Sequence, residues 1–168
     1  MFELQLARGR EAARALADMT GAIWNEQIDE EDYARFFENI SLFPEGHLLV
    51  TCGQKVVATS QGFPMARVPT FHELNQGIYT LFCYRGEYYY LHLIQVLPEY
   101  RRQGIGDMLL KAQIDAARRA GCKQIVGIAH ENSVAHWLKN GFDELEAGWG
   151  TYGGYGRFLW VGMNLMQS

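Results

Sequence analysis

The chain has 168 residues, enough for one domain over 1–168 whose core needs neither disulfides nor metals. With 48% hydrophobic and 20% charged residues it is no disordered segment. A net charge of −4 gives no broad basic face for a long nucleic acid, and Cys52, Cys83 and Cys122 lack the short spacings of a zinc site or disulfide framework.

Phe2 to Ala7 alternates apolar and polar, which predicts a first strand. Arg10 to Trp24 carries Ala13, Leu16, Ala17 and Ile23 near helical spacing, and Asp29 to Ile40 reads as a second helix. The opening acids Asp29, Glu30, Glu31 and Asp32 suit a helix start, where carboxylates meet the positive end of the dipole. Glu3, Arg8, Arg10, Glu11 and Arg14 interrupt any apolar leader, and no run approaches the ~18 apolar residues of a membrane span. The expectation is a cytoplasmic protein with no membrane partner. Gly46 to Cys52 and Lys55 to Ser60 flank Gly53-Gln54, a hairpin signal. Residues 61–80 hold Pro64, Pro69 and Gly77 and read as a long irregular connection.

Glu87 to Leu97 is apolar on both faces and predicts a central strand that ends at Pro98. A helix is expected from about Ile105 to Ala120, stopped by Gly121. Gln124 to Ala129 reads as a buried strand, followed by a short helix from Asn132 or Ser133 to Lys139. Phe142 to Glu146 and Phe158 to Met166 are predicted strands around the glycine-rich loop Gly148 to Gly156. Strand, helix, strand, helix in the second half implies a parallel crossover, so the fold class is mixed α/β.

Residues 98–123 carry six basic side chains against Glu99, Asp107 and Asp115, a local +3, while ten acids lie between Glu3 and Glu45. That distribution suits a compact polyanion or an ordinary solvated helix surface. Its core is Val96-Leu-Pro-Glu-Tyr-Arg-Arg-Gln-Gly-Ile-Gly106, running from a buried strand into a helix. Gly104 and Gly106 let backbone amides approach a ligand, and the first-turn amides of the helix have no internal partner. With the helix dipole they make a cradle for a diphosphate, and Arg101 and Arg102 add charge. The stretch lacks G-x-G-x-x-G spacing and the Lys-Ser/Thr of a P-loop, so dinucleotide and nucleotide-hydrolysis readings fit poorly.

Val96, Pro98, Arg101, Gly104 and Gly106 together resemble the fingerprint of the GNAT superfamily of N-acetyltransferases. That fingerprint is a strand ending in Val, a Pro-acid-aromatic turn, then R-x-x-G-x-G. A second segment, His130-Glu-Asn-Ser-Val-Ala-His-Trp-Leu-Lys-Asn-Gly-Phe142, is similar to the family's Asn-x-x-Ala/Ser element with its terminal Gly-Phe. The resemblance implies a twisted sheet of six to seven strands, splayed between the fourth and fifth and flanked by helices on both faces. It also implies acetyl-CoA as cosubstrate, no metal, and a small-molecule or peptide amine as acceptor.

Under that resemblance the pantetheine pairs with the backbone of Ile94, Gln95 and Val96. The diphosphate rests on Arg101, Arg102, Gln103, Gly104, Ile105 and Gly106, and His130, Ser133 and Trp137 border the pantetheine end. The N–H near Val96 becomes the oxyanion donor. Where the family often has a glutamate base, four residues before Val96, this chain has His92. A neutral imidazole, with an unperturbed pKa near ~6.5, accepts the amine's proton; the competing reading is a core histidine. Trp137 stands where the family commonly has an acidic tyrosine and cannot hand over its indole proton, so it packs against pantetheine, holds a water or belongs to the core. His130 replaces the family's Asn.

Asp29 to Asp32 suits either a cationic acceptor or helix capping. Tyr88, Tyr89 and Tyr90 either line a site or pack. The glycine-rich loop reads as a lid, a homodimer contact or a flexible hairpin. A non-catalytic acyl-CoA sensor on the same fold is the alternative function.

Overall fold

A computed structural model describes residues 1–77 and 83–166. In chain order the elements are β1 (Phe2–Leu6), α1 (Gly9–Trp24), α2 (Glu30–Leu42), β2 (His47–Cys52), β3 (Lys55–Met65) and α3 (Phe71–Gly77). There follow β4 (Tyr88–Val96), α4 (Ile105–Arg119), β5 (Gln124–His130), α5 (Val134–Lys139), β6 (Asp143–Thr151) and β7 (Arg157–Asn164). The seven strands follow the order β1-β2-β3-β4-β5-β7-β6. β4 and β5 are parallel, whereas the β1–β2, β2–β3, β5–β7 and β6–β7 pairs are antiparallel. The class is mixed α/β, as the alternation of strand and helix implies.

The chain divides into two compact units. The first comprises Met1–Gly62 and Leu93–Ala116. Its strand β2 alternates: Leu49 joins Leu16, Ala17, Phe36 and Ile40 of α1 and α2, while Leu48 and Val50 pack with Ile105 and Leu109 of α4. Period-2 alternation thus puts helices on both faces here. The acids that open α2 form its cap: Asp32 N–H donates to Asp29 Oδ1 at 2.9 Å and Asp29 N–H to Asp32 Oδ2 at 3.1 Å. Arg35 and Arg14 pair with Asp32 and Glu30, so the cluster is spent on capping and ion pairs.

The second unit comprises Phe63–His92 and Ala117–Ser168. Parallel pairing of β4 with β5 covers Tyr88–Leu91 against Gln124–Gly127. Gly121, at φ +76°, ends α4 as expected, with Cys122 N–H bonded to Ala117 O at 3.1 Å. Burial pushes the Cys122 thiol up to about 11, and the three cysteines are free.

Two expectations need correction. The segment 61–80 is not one irregular connection. β3 runs on through Pro64 to Met65, and α3 opens at Phe71 behind a Thr70 cap, with Glu73 N–H bonded to Thr70 Oγ1 at 3.2 Å. Residues 78–80 lie outside the described residues. Proline in a strand reads as a breaker, but it forfeits only its own N–H. Likewise the first part of the loop Gly148 to Gly156 belongs to the ladder: β6 extends to Thr151, and Trp149, Gly150 and Thr151 face Leu159, Phe158 and Arg157. A register shift between Glu144 and Trp149, with Gly148 at φ +64°, absorbs the irregularity that made the segment look like a loop. Gly150 is required there, because a Cβ would stand 2.1 Å from the Phe71 ring.

Among the described residues no helix is long and apolar enough to cross a membrane.

Candidate active site

In the first unit, β4 ends at Val96 and the chain turns through a 3-10 segment, Pro98–Tyr100, before α4 begins. Leu97 N–H donates to Val57 O at 3.0 Å. Strand alternation therefore turns the neighbouring Val96 N–H away from β3. Arg101 Nε donates to Val96 O at 3.0 Å and holds that peptide from its other side. Gln103 reaches back to Glu99 O at 3.4 Å.

The turn itself is conformationally unusual. Arg102 sits at φ +60° and Gly104 at φ +79°, and Gly104 O accepts Met108 N–H at 3.0 Å as the first bond of α4. A left-handed arginine costs backbone energy that a plain helix start does not require. A Cβ built on Gly104 or Gly106 meets nothing within 4 Å. The protein's own packing therefore does not demand glycine at Gly106; the space a side chain would fill is open. Arg101, Arg102, Gln103 and Gly104 are exposed and Ile105 is buried in the α4 core, so the turn is anchored on one side and reaches the surface on the other. Ile94 and Val96 side chains join that same core, leaving their main chain as what they offer. These residues, with Gln95, are brought together at one strand end.

The other expected site residues belong to the second unit. His92 is half-buried, its ring 5.7 Å from that of Tyr90 and 6.1 Å from that of Phe63. His130 is tied at both nitrogens: Asn132 N–H donates to Nδ1 at 3.2 Å, so the proton sits on Nε2 and is donated to Tyr155 O at 3.1 Å. Neither nitrogen is left for a ligand. Ser133 donates to His130 O at 3.0 Å through Oγ and shapes the entry to α5. Trp137 lies against Gly127, where a Cβ would come within 3.3 Å of its ring, and meets Phe142 edge-on at 4.9 Å. Those are packing contacts.

Two further groups stand out, Tyr90, which the sequence left as either lining a site or packing, and Trp160, which it did not single out. Tyr90 and Trp160 are fully buried, with ring centroids 6.0 Å apart, and among the described residues neither Tyr90 OH nor Trp160 Nε1 has a hydrogen-bond partner. Burial holds the Tyr90 phenol well above its ordinary pKa, so it stays protonated. The run Tyr88-Tyr89-Tyr90 was the available signal, but its pattern does not say which hydroxyl lacks a partner. Among the described residues no group of three or more His, Cys, Asp or Glu is arranged to hold a metal ion.

Comparison with known proteins gives this geometry its context. The loading GNATL domain of CurA from Lyngbya majuscula superposes with a TM-score of 0.78 at 17% identity, over 100% of both chains. The GphF GNAT-like decarboxylase, solved with isobutyryl-CoA, gives 0.72 at 18% identity over 97% of this chain and 99% of that one. The putative acetyltransferase yncA from Salmonella typhimurium, solved with acetyl-CoA, gives 0.71 at 14% identity over 100% and 96%. A search of curated protein sequences found no match. A sequence model of the Acetyltransferase (GNAT) family matches residues 13–142, most of the chain, including the strand end, the glycine turn and α5. The chain belongs to the GNAT acetyltransferase family.

Proposed function

We propose that this protein is an N-acetyltransferase that takes acetyl-CoA and transfers its acetyl group to a primary amine. One observation carries the reading. The turn from Arg101 to Gly106 opens α4, where first-turn amides lie outside the intrahelical ladder, and it holds a left-handed Arg102 and two glycines whose missing side chains leave open space. That arrangement fits a diphosphate, and relatives of the same fold were solved with acetyl-CoA and isobutyryl-CoA.

Acetyl-CoA supplies an activated acyl group as a thioester. The protein's part is to hold and polarise. Amides from Arg102 to Gly106 bind the diphosphate, and the main chain of Ile94 to Val96 pairs with pantetheine. Val96 N–H, turned away from β3 and steadied through Arg101, stabilises the developing oxyanion. His92 takes the proton that the attacking amine releases.

One observation favours the second reading, an acyl-CoA sensor that does not turn over. Trp137 occupies the α5 position where the family commonly carries its acid, and its ring is used in packing on Gly127 and Phe142. A thiol-release assay with acetyl-CoA and a panel of amines separates the two. Release that depends on one amine class is expected. Acetyl-CoA binding without release across small amines and peptides leaves the sensor, and failure to bind acetyl-CoA removes both.

A further inference from the structure

His92 belongs to a group of packed rings within the second unit. Tyr90 and His92 lie two residues apart on β4, so strand alternation sends both side chains to the same face. Phe63 reaches them from β3, the neighbouring strand in the sheet. The His92 ring is tilted by 35° to that of Tyr90 and by 33° to that of Phe63. Phe63 and Tyr90 also meet each other, with centroids 6.5 Å apart and planes at 31°. The rings thus form a closed triangle at separations where aromatic pairs attract.

Two corners of the triangle are fixed. Phe63 and Tyr90 are fully buried, and each is backed by a further ring: Tyr84 stands edge-on to Phe63 at 6.3 Å, and Trp160 lies 6.0 Å from Tyr90. Phe71 of α3 in turn backs Trp160 at 5.6 Å. Close packing of this kind holds a side chain to one rotamer. His92 is the half-buried corner, and contact with two immobile rings restricts how its imidazole turns. Its Nδ1 is buried, so the work of a base falls to Nε2. The Tyr90 hydroxyl makes no hydrogen bond among the described residues, so what Tyr90 brings to His92 is its ring.

We infer that Phe63 and Tyr90 are positioning residues for the acetyl transfer: their rings hold the His92 imidazole in the orientation from which it takes the amine's proton. This rests on the reading of His92 as the base. A base must meet its proton at hydrogen-bond distance, and a displacement on the order of 1 Å costs up to about 10²-fold in rate. Two rigid rings supply that placement without a hydrogen bond, and neither needs to touch the acceptor or acetyl-CoA.

The test measures kcat, acceptor KM and acetyl-CoA Kd for Phe63→Leu, Tyr90→Leu and Tyr90→Phe, each alone and combined with His92→Ala. Each leucine variant should lower kcat about tenfold and leave acceptor KM and acetyl-CoA Kd within about twofold. The retained Kd also reports that the variant is folded. Tyr90→Phe keeps the ring and should recover most of the turnover that Tyr90→Leu loses. In the His92→Ala background none of the three should cause a further loss, because residues that act through one base are not additive. Wild-type kcat in both leucine variants, or losses that multiply with that of His92→Ala, overturns the positioning role while the base stands. So does a tenfold loss in Tyr90→Phe, which would place the effect on the hydroxyl; this variant decides the matter even if the leucine variants do not fold. Unchanged turnover in His92→Ala removes the base itself and the inference with it.

Discussion

Arg101 Nε donates to the main-chain oxygen of Val96 at 3.0 Å, so the arginine that opens the glycine turn also braces the strand end before it. A residue legible as a charge for a phosphate is, in the fold, a clamp between two parts of the proposed cosubstrate site. Arg101→Met should weaken acetyl-CoA binding about tenfold, because it removes the charge-assisted bond and loosens the Val96 peptide. Arg101→Lys should recover little, since an ammonium lacks the planar Nε–H that makes this contact. Calorimetric titration of both variants checks the ordering.

Gly104 and Gly106 should respond differently to alanine. Gly104 sits at φ +79°, so Gly104→Ala should cost roughly 1–2 kcal/mol of stability as well as affinity. Gly106 is inside α4 and its Cβ would meet nothing in the protein. Gly106→Ala should therefore hold or slightly raise Tm through helix propensity while lowering acetyl-CoA affinity. Melting curves with and without acetyl-CoA separate the effects; unchanged affinity in Gly106→Ala would argue against the diphosphate cradle.

His92→Ala should reduce kcat by 10²-fold or more, the usual scale for a lost general base, and leave the acetyl-CoA Kd within about twofold. Pre-steady-state thiol release alongside equilibrium binding gives both numbers. Equal turnover would make His92 a core residue of the Tyr90–Phe63 cluster.

His47 predicts an acid-sensitive fold. Its folded pKa is lowered to about 4 by burial, against ~6.5 unfolded, so between those values the unfolded chain binds the extra proton. Stability is retained above pH ~6.5 and lost as pH falls towards about 4, by an amount on the order of 3 kcal/mol. His47 Nδ1 lies 2.8 Å from Phe43 O, a contact an asparagine amide can imitate. Tm measured from pH 7 to 4 should fall less steeply for His47→Asn than for the wild type.

Asn75 ties α3 to the β6–β7 turn, donating to Thr151 O at 2.9 Å and accepting from Gly153 N–H at 2.7 Å. Asn75→Ala should speed amide exchange at Gly153 and its neighbours and cost about 1–2 kcal/mol. Exchange unchanged at this turn would mean that the ladder alone holds it.

The glycine turn was readable before any coordinates because its chemistry is local. Gly104, Gly106 and the helix start lie within a few residues, and backbone geometry follows from their order. The α2 cap was legible for the same reason, as acids at the opening of a helical period. Residues 61–65 and 148–151 misled because local breaker signals, a proline and three glycines, oppose ladder bonds made with residues distant in sequence. Trp149 against Leu159 and Gly150 beneath Phe71 are such partners.

By itself the sequence determined the mixed α/β class, the order of its strands and helices apart from α3, and a glycine turn at the start of α4. All three depend on periodicity and spacing along the chain. Only the tertiary structure decided which polar groups are spent and which are not. It tied both nitrogens of His130 to the main chain and set Trp137 into packing, yet among the described residues left Tyr90 and Trp160 each with a buried donor unmatched. A hydrogen bond's partner is fixed by distance in space, and residues such as Thr20 and Gln95, 75 positions apart, meet only once the chain has folded.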